Sequence, residues 1–298
     1  MLEEAGLEFS AWPSVTNPWQ TLVEEVQHIE GAGWKGIWIG DHFMANLADT
    51  SGAWQEAWSV MAGLAALTSR LRLGTLVTGN TYRHPAILAK QVAQVDVISG
   101  GRVTLGIGAG WQENEHVAYD VPFYTAPVRL QRLEESVQIL RSLFDNPRTS
   151  FAGRHYTILN APLAPKPVQP HLPILIGGGG EKVTLRLAAR YADAWNVAGD
   201  AATFAHKSRV LDEHCRRDGR DPRTVHRTAA ILVSPGEPND RSHLRFTMFS
   251  KPSDLVDLIA PYAAAGANEM IVHFNPSLPL DQRKELWTGF MQDVAPQL

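Results

Sequence analysis

The sequence is poor in cysteine and has no excess of positive charge. Cys215 is the only cysteine among 298 residues, so an internal disulfide framework is excluded and a reducing compartment is indicated. The formal net charge at pH 7 is -4, and the sequence contains no block of lysine and arginine. Because proteins that bind nucleic acid need such blocks to neutralise phosphates, we expect no nucleic-acid partner.

Long hydrophobic runs and the common sequence signatures of metal and serine chemistry are also missing. No apolar run approaches the roughly 20 residues that a membrane-spanning helix needs, and no apolar segment preceded by basic residues opens the sequence. We therefore expect a cytoplasmic protein with no membrane partner. No histidine and carboxylate spacing indicates a metal site, and the sequence has no G-x-S-x-G motif of a nucleophilic serine.

The stretch at 70–111 shows how the rest of the chain is organised. An apolar run at 71–78 is followed by a helical pattern that begins at Pro85, where a proline is tolerated in the first turn. A second apolar run lies at 103–107. Neither run alternates strongly between apolar and polar residues, which is typical of parallel strands buried on both faces. The pattern predicts strand, helix and parallel strand.

The same unit recurs along the whole chain, with helical segments between the apolar runs. Eight alternations in a chain of 298 residues favour one closed α/β barrel of the TIM type, (β/α)8, over two doubly wound halves. We expect a single domain over residues 1–298, with insertion segments at about 111–127, 145–172 and 234–250. The predicted strands are 6–12, 36–40, 71–78, 103–107, 174–176, 194–197, 227–233 and 269–274.

A run of four glycines follows the predicted strand at 174–176 and comes before a helix. Gly177, Gly178, Gly179 and Gly180 would let a phosphate approach the backbone amides, and the helix dipole would favour its negative charge. The alternative is a tight turn between strand and helix, which would account for one or two glycines but not four. We therefore favour phosphate binding at this loop, as a hypothesis from the motif.

Asp41 and His42 come directly after the second predicted strand, at the barrel end where ligands bind in parallel α/β folds. Histidine titrates near neutral pH and can give or take a proton during hydride transfer. The alternative is an aspartate that caps a helix beside a packed histidine. We predict that His42 is catalytic and that both residues contact a cofactor.

Four longer segments together resemble the luciferase-like oxidoreductases, the bacterial luciferase superfamily, and most closely their branch that uses the deazaflavin coenzyme F420. The segments are GIWIGDHF at 36–43, LGTLVTGNTYRHPAILAKQVAQVDVISGGRVTLGIGAGW at 73–111, RLEESVQILRSLF at 132–144, and ILIGGGGEKVTLRLAARYADAWN at 174–196. The resemblance covers nearly the whole chain. It implies a TIM-type barrel that binds F420, or alternatively FMN, at the carboxyl ends of its strands.

The resemblance also implies roles for individual residues. The loop of four glycines holds the coenzyme phosphate, helped by the segment after the next strand, including Asn196 and Ala198. Asp41 and His42 lie at the deazaflavin ring. A cis peptide bond between non-proline residues bulges against the ring face, and we expect it between Val77 and Gly79, so that Val77, Thr78 and Gly79 all contact the coenzyme.

The segment Gly108, Ala109 and Gly110 lacks the glycine spacing of a dinucleotide fingerprint, and its small residues instead allow a flat ring to lie close to the backbone. Asn114 matches a coenzyme-contacting asparagine of the F420-dependent glucose-6-phosphate dehydrogenases. Bacterial luciferase has an arginine for the FMN phosphate where this chain has Ala109, which disfavours FMN. F420-dependent glucose-6-phosphate dehydrogenases have a catalytic glutamate where this chain has Trp111, which disfavours that activity.

These observations predict an F420-dependent oxidoreductase that moves hydride between C5 of the deazaflavin and a small organic substrate. His42 is the predicted proton-handling residue, with Glu113 and His116 as helpers. Some of the nine tryptophans, such as Trp54 and Trp111, are candidates to wall an apolar substrate pocket. The alternatives are an FMN-dependent monooxygenase and a non-catalytic F420- or flavin-binding protein. Apolar helix faces in the first half leave room for a homodimer.

Overall fold

The computed structural model describes residues 6–237 and 246–298. Eight parallel strands close into a barrel in the order β1, β2, β3, β5, β8, β9, β10, β12, with β12 paired again to β1. This confirms the predicted TIM-type fold. The barrel strands are β1 Glu8–Ala11, β2 Gly36–Ile39, β3 Arg72–Thr75, β5 Val103–Gly108, β8 Ile174–Gly177, β9 Ala194–Val197, β10 His226–Pro235 and β12 Glu269–Phe274.

Helices follow the barrel strands and cover the outside of the barrel. The alanine-rich segment at about 54–69 predicts a helix, and α2 begins at Ala57 within it, because the Glu56 side chain accepts the amide hydrogens of Trp58 and Ser59 and so caps the helix there. The helices are α1 Trp19–Gly31, α2 Ala57–Leu67, α3 Pro85–Ser99, α4 Glu113–Ala118, α5 Ala126–Asp145, α6 Thr184–Tyr191, α7 Ala201–Arg217, α8 Pro252–Ala264 and α9 Leu280–Gly289. Within the described ranges, no helix has the length and apolarity needed to cross a bilayer.

Three segments extend the basic strand and helix repeat. The segment at 111–127 contains the short helix α4, and the segment at 145–172 contains an antiparallel hairpin of β6 Arg148–Ala152 and β7 Thr157–Pro162. The third predicted insertion, at 234–250, includes β11 Thr247–Phe249, which pairs with the end of β10. Residues 238–245 of that insertion lie outside the described residues.

The predicted third strand is interrupted by a cis peptide bond. The bond joins Leu76 and Val77, so the prediction of a cis bond between Val77 and Gly79 was wrong in position. Thr78 and Gly79 form the separate short strand β4 and pair in regular register with Ile107 and Gly108 of β5. The cis bond therefore occupies the break between two paired segments.

A buried ion pair joins the first and last helices. Arg283 donates from Nε to Oε1 of Glu25 at 2.8 Å and from Nη2 to Oε2 at 3.1 Å, and the Trp287 indole N–H also donates to Oε1 at 2.9 Å. The two charged side chains are 4% and 1% exposed. Because both are out of water, each depends on the other to offset its desolvation.

We expect Glu25→Ala to lower the free energy of unfolding by about 3–5 kcal/mol, because it leaves the Arg283 guanidinium buried without a counter-charge. Urea denaturation monitored by tryptophan fluorescence measures the change. Glu24→Ala is the matched control on the same helix, since Glu24 is 60% exposed in its pair with Lys284 and should matter by less than about 1 kcal/mol. Equal losses in the two variants would contradict the assignment.

Candidate functional site at the carboxyl ends of the strands

His42 lies just past β2, at the barrel end where the loops after the strands converge. Its Nδ1 lies 2.8 Å from Oε1 of Glu115, and its ring makes edge contacts with Trp111 and Trp54 at centroid distances of 5.5 and 6.0 Å. The side chain is 20% exposed, and Nε2 has no hydrogen-bond partner among the described residues. The arrangement fixes one ring nitrogen and leaves the other without a partner in the described part of the chain.

Glu115 on α4 is the residue that holds His42, and the sequence predictions missed it. The Glu115 side chain is fully buried; it accepts the Phe43 amide hydrogen at 2.8 Å and a hydrogen bond from the Tyr82 hydroxyl. Burial raises the pKa of the Glu115 carboxyl, but hydrogen bonds from His42, Phe43 and Tyr82 outweigh it and hold the pKa below the ordinary value. The group is therefore a carboxylate at neutral pH.

The depressed pKa also fixes the sign of the pH effect on stability. The ordinary glutamate pKa is 4.5, so the stabilisation that Glu115 provides is complete above that pH and is lost as the pH falls through the lower pKa of the folded state. Tyr82 responds in the opposite direction: burial and its bond to Glu115 raise the pKa of the phenol. Tyr82 therefore remains a protonated donor.

Asp41 is fully buried and both of its carboxylate oxygens are engaged by Arg83, at 2.6 and 3.1 Å. Arg83 also pairs with Glu56, the residue that caps α2. These contacts tie the end of β2 to the loop after β4 and to α2. The Asp41 side chain thus holds these loops together through Arg83. Its predicted contact with a coenzyme stays a prediction.

The other two predicted catalytic residues do not join His42. Glu113 is the first residue of α4 and is exposed, whereas Glu115, two residues on, faces the interior. His116 is 1% exposed; its Nδ1 donates to the Gln112 carbonyl at 2.6 Å and its Nε2 accepts from the Thr81 hydroxyl at 2.7 Å. Both ring nitrogens are occupied by contacts that hold the loop, and the predicted helper role of His116 stays a prediction.

The predicted ring-binding segment centres on the Val77 side chain. A Cβ added at Gly108 would lie 2.8 Å from Val77 Cγ2, and one added at Gly177 would lie 2.9 Å from Val77 Cγ1. These two glycines are therefore needed for the close approach of Val77. Thr78 is buried and accepts the Trp58 indole hydrogen at 3.1 Å, while Gly79 lies under the ring of Tyr82.

The run of four glycines is explained more fully by packing than the sequence indicated. Gly178 has a φ of +130°, and Cβ atoms added at Gly179 and Gly180 would come within 3.0 Å of Val197 and 2.9 Å of Thr184. Only Gly178 has the positive φ that a turn requires, and the other three glycines are explained by close side-chain contacts, so the predicted phosphate contact of the loop stays a prediction. The amides of Gly179 and Gly180 have no backbone partner among the described residues.

The remaining predicted binding residues lie in or just after β9 and β5. Asn196 is buried and donates from Nδ2 to the Thr228 hydroxyl at 2.8 Å, so its side chain serves the barrel interior, while its carbonyl accepts the Gly178 amide hydrogen. Ala198 is exposed just after β9, and Ala109 is half-buried after β5. The Gly110 carbonyl accepts a hydrogen bond from Arg129 Nε at 3.1 Å.

Three buried polar atoms near the mouth have no hydrogen-bond partner among the described residues. They are Asn114 Oδ1, Asn80 Nδ2 and Trp54 Nε1. The other atom of the Asn114 amide donates to the Ala45 carbonyl at 3.0 Å, so the orientation of that side chain is fixed. Because unpaired buried polar groups are costly, an acceptor and two donors left open here indicate a polar ligand.

Comparisons with known proteins agree with this architecture. The family model described as luciferase-like monooxygenase matches residues 5–294. An F420-dependent glucose-6-phosphate dehydrogenase of Amycolatopsis mediterranei is 27% identical over 93% of this chain and 94% of its own length. An F420-dependent hydroxymycolic acid dehydrogenase of Mycobacterium tuberculosis is 31% identical over 72% of this chain, which spans 59% of that protein.

A solved structure shows the same fold at lower identity. It is an F420-dependent secondary alcohol dehydrogenase in complex with an F420-acetone adduct, with a TM-score of 0.86 and 20% identity over 98% of this chain and 99% of that one. The family match over nearly the whole chain, rather than this likeness in fold, decides membership. The chain belongs to the luciferase-like monooxygenase family.

Proposed function

We propose that the protein is an F420-dependent oxidoreductase that interconverts an alcohol and a carbonyl compound. The observation that carries the proposal is the pair of His42 and Glu115, in which a buried carboxylate orients an imidazole whose Nε2 is open at the barrel mouth. The names of the relatives support the coenzyme and the class of reaction, since all three are F420-dependent dehydrogenases.

The residues present fit a deazaflavin coenzyme. Deazaflavins and flavins share a ring edge of alternating C=O and N–H groups, and Asn114 Oδ1 and Asn80 Nδ2 supply one open acceptor and one open donor. Val77 offers an apolar surface to a ring face, and the free amides of Gly179 and Gly180 suit an anion. When bound, the coenzyme supplies a hydride acceptor at C5.

His42 handles the proton of this reaction. As the substrate C–H bond breaks and its hydride leaves, the hydroxyl proton passes to Nε2 of His42, and the C–O bond becomes a carbonyl. The negative charge of Glu115 stabilises the imidazolium that forms. In the reverse direction His42 returns the proton to the carbonyl oxygen. Trp54 and Trp111 exclude water from one side of the imidazole.

The lining around His42 favours a substrate with an uncharged, apolar substituent. Trp54 and Trp111 contact the imidazole, and Arg83, the nearby arginine, is already paired with Asp41 and Glu56. We therefore propose a secondary alcohol or its ketone, with an aromatic or aliphatic group lying against the indoles.

Titration with coenzymes tests the choice between F420 and FMN. We expect F420 to bind at least about tenfold more tightly than FMN, which corresponds to about 1.4 kcal/mol, as measured by quenching of tryptophan fluorescence. Tighter binding of FMN, with oxygen consumption by the reduced flavin complex, would favour the monooxygenase alternative. Binding of F420 with no turnover of any alcohol or ketone in a panel would favour the non-catalytic alternative.

Replacement of His42 tests the proton-transfer role. We expect His42→Ala to lower kcat for oxidation of a secondary alcohol by a factor of about 10²–10⁴, with little change in the Kd for F420, because only the general base is lost. Loss of F420 absorbance measures the rate. The control is His171→Ala, an exposed histidine at the opposite end of the barrel that pairs with Asp193. Equal rates for His42→Ala and the wild type would remove His42 from the mechanism.

Replacement of Glu115 tests its action through His42. Glu115→Gln keeps one oxygen that can accept from His42 and Tyr82, loses the acceptor of the Phe43 amide hydrogen, and removes the negative charge that favours the protonated imidazole. In ketone reduction, the loss of activity in Glu115→Gln should therefore be larger at alkaline pH than at acidic pH. The pH profile of kcat is the measurement, because a merely structural loss would lower the rate without moving the profile.

Glu113→Gln is the matched control, since Glu113 lies on the same helix and is exposed. We expect it to leave both the rate and the pH profile unchanged. A shift of the profile in Glu113→Gln, with none in Glu115→Gln, would reverse the assignment and restore Glu113 as the helper.

A further inference from the structure

Two arginines in the first half of α5 have no carboxylate partner among the described residues. Arg129 is bound through neutral carbonyl groups, those of Gly110 and Tyr124. Arg132 makes no hydrogen bond or ion pair within the described part of the chain, and its Nε atom is buried. The helix therefore carries two uncompensated positive charges, one of them directly beside the barrel mouth at Gly110.

One of these charges lies where the helix itself disfavours it. α5 has no acidic residue in its first turn, and Arg129 is its fourth residue. The amino-terminal end of a helix carries a partial positive charge, so cations there are destabilising unless an anion is close. The position of Arg129 therefore costs stability in the isolated protein, whereas Arg132, the seventh residue, lies beyond the first turn.

The guanidinium of Arg132 is held between two aromatic rings. Its Cζ lies 4.5 Å from the ring centroid of Tyr124 and 4.5 Å from that of Tyr156. Stacking of this kind fixes the plane of the guanidinium and leaves its N–H edge available for hydrogen bonds. Arg132 is therefore oriented in advance for a planar or tetrahedral oxyanion.

Two further donors lie beside Arg132. Tyr156 is 5% exposed, and its buried hydroxyl has no hydrogen-bond partner among the described residues. The His84 ring lies 5.4 Å from the Tyr156 ring, and its Nδ1 accepts the Ala86 amide hydrogen at 3.2 Å. Because Nδ1 is the acceptor, the proton of the neutral imidazole is on Nε2. Burial and the charge of Arg132 lower the pKa of His84 and favour this neutral form.

We propose that Arg132, Tyr156 and His84 form an oxyanion-binding site outside the barrel mouth, and that it binds carboxylate groups of the coenzyme side chain. The guanidinium and the imidazole Nε2–H group are donors only, and the phenol can add its O–H as a third donor, which matches an oxyanion. Arg129 connects the site to the mouth, because residues three apart on a helix are neighbours at about 5–6 Å and Arg129 is bonded to Gly110. The choice of the coenzyme as the source rests on the proposed function.

The test compares F420, which carries a phosphate and glutamate carboxylates, with the deazaflavin riboside that lacks both. We expect Arg132→Gln to weaken F420 binding about tenfold and to leave riboside binding unchanged, because one set of charge-assisted hydrogen bonds is lost. Arg209→Gln is the control, since Arg209 is an exposed arginine on α7. It removes the same charge elsewhere and should leave binding of both compounds unchanged.

Arg132→Lys separates charge from geometry. It keeps the positive charge but loses the flat guanidinium that stacks between the tyrosines, so its F420 affinity should lie between those of the wild type and Arg132→Gln. Thermal unfolding midpoints confirm that each variant is folded. If Arg132→Gln does not fold, the ratio of F420 to riboside affinity in Arg132→Lys gives the same test.

The outcomes separate this site from the proposed function. If the wild type binds no F420 but binds tri-γ-glutamate or inorganic phosphate, and Arg132→Gln loses that binding, the oxyanion site stands while its coenzyme source and the proposed function fail. If Arg132→Gln binds F420, tri-γ-glutamate and phosphate as the wild type does, the site is overturned and Arg132 only packs between two rings. F420 binding in that case still supports the proposed function.

Discussion

The arrangement at the barrel mouth depends on one buried negative charge, the carboxylate of Glu115. It receives hydrogen bonds from His42 and Phe43 after β2 and from Tyr82 after β4, while it belongs to α4 after β5. Three separate loops are therefore positioned by a single group. Burying a carboxylate is costly, and three donors offset that cost, which is also why its pKa is low. Without this charge the donors would remain buried and unpaired, and the imidazole would lose its orientation.

Much of the fold follows from alternation along the sequence, because strands buried on both faces and helices with one apolar stripe give distinct patterns. The strands predicted at 194–197 and 269–274 agree with β9 and β12 to the residue. Differences arise where a side chain or a local contact overrides the pattern. Glu56 delays the start of α2, and the predicted strand at 71–78 is split at the cis bond of Leu76 and Val77. Neither the cap nor the cis bond changes the spacing of apolar residues along the sequence, so that spacing could not predict them.

The site was harder to predict than the fold, for a reason that α4 illustrates. His42 stood out because it directly follows a strand, where side chains converge. Choosing between Glu113 and Glu115 required the rotational phase of a helix of six residues, and so short a helix shows no periodicity. His116 has the right residue type for catalysis, but only three-dimensional contacts reveal that both of its nitrogens are occupied. Likewise, the packing reasons for the four glycines come from side chains distant in sequence.

The arginines near the mouth differ in whether a carboxylate of the protein neutralises their charge. Arg83 lies between Asp41 and Glu56, so its charge is neutralised within the protein and it acts by holding loops together. Arg129 and Arg132 are stacked on aromatic rings instead and have no carboxylate among the described residues. A protein that needed these arginines only for packing would gain by pairing them with a glutamate, as it does for Arg83. The absence of a carboxylate partner for both, together with the place of Arg129 in a first turn that disfavours cations, is the physical reason to expect that the missing negative charge arrives with a ligand.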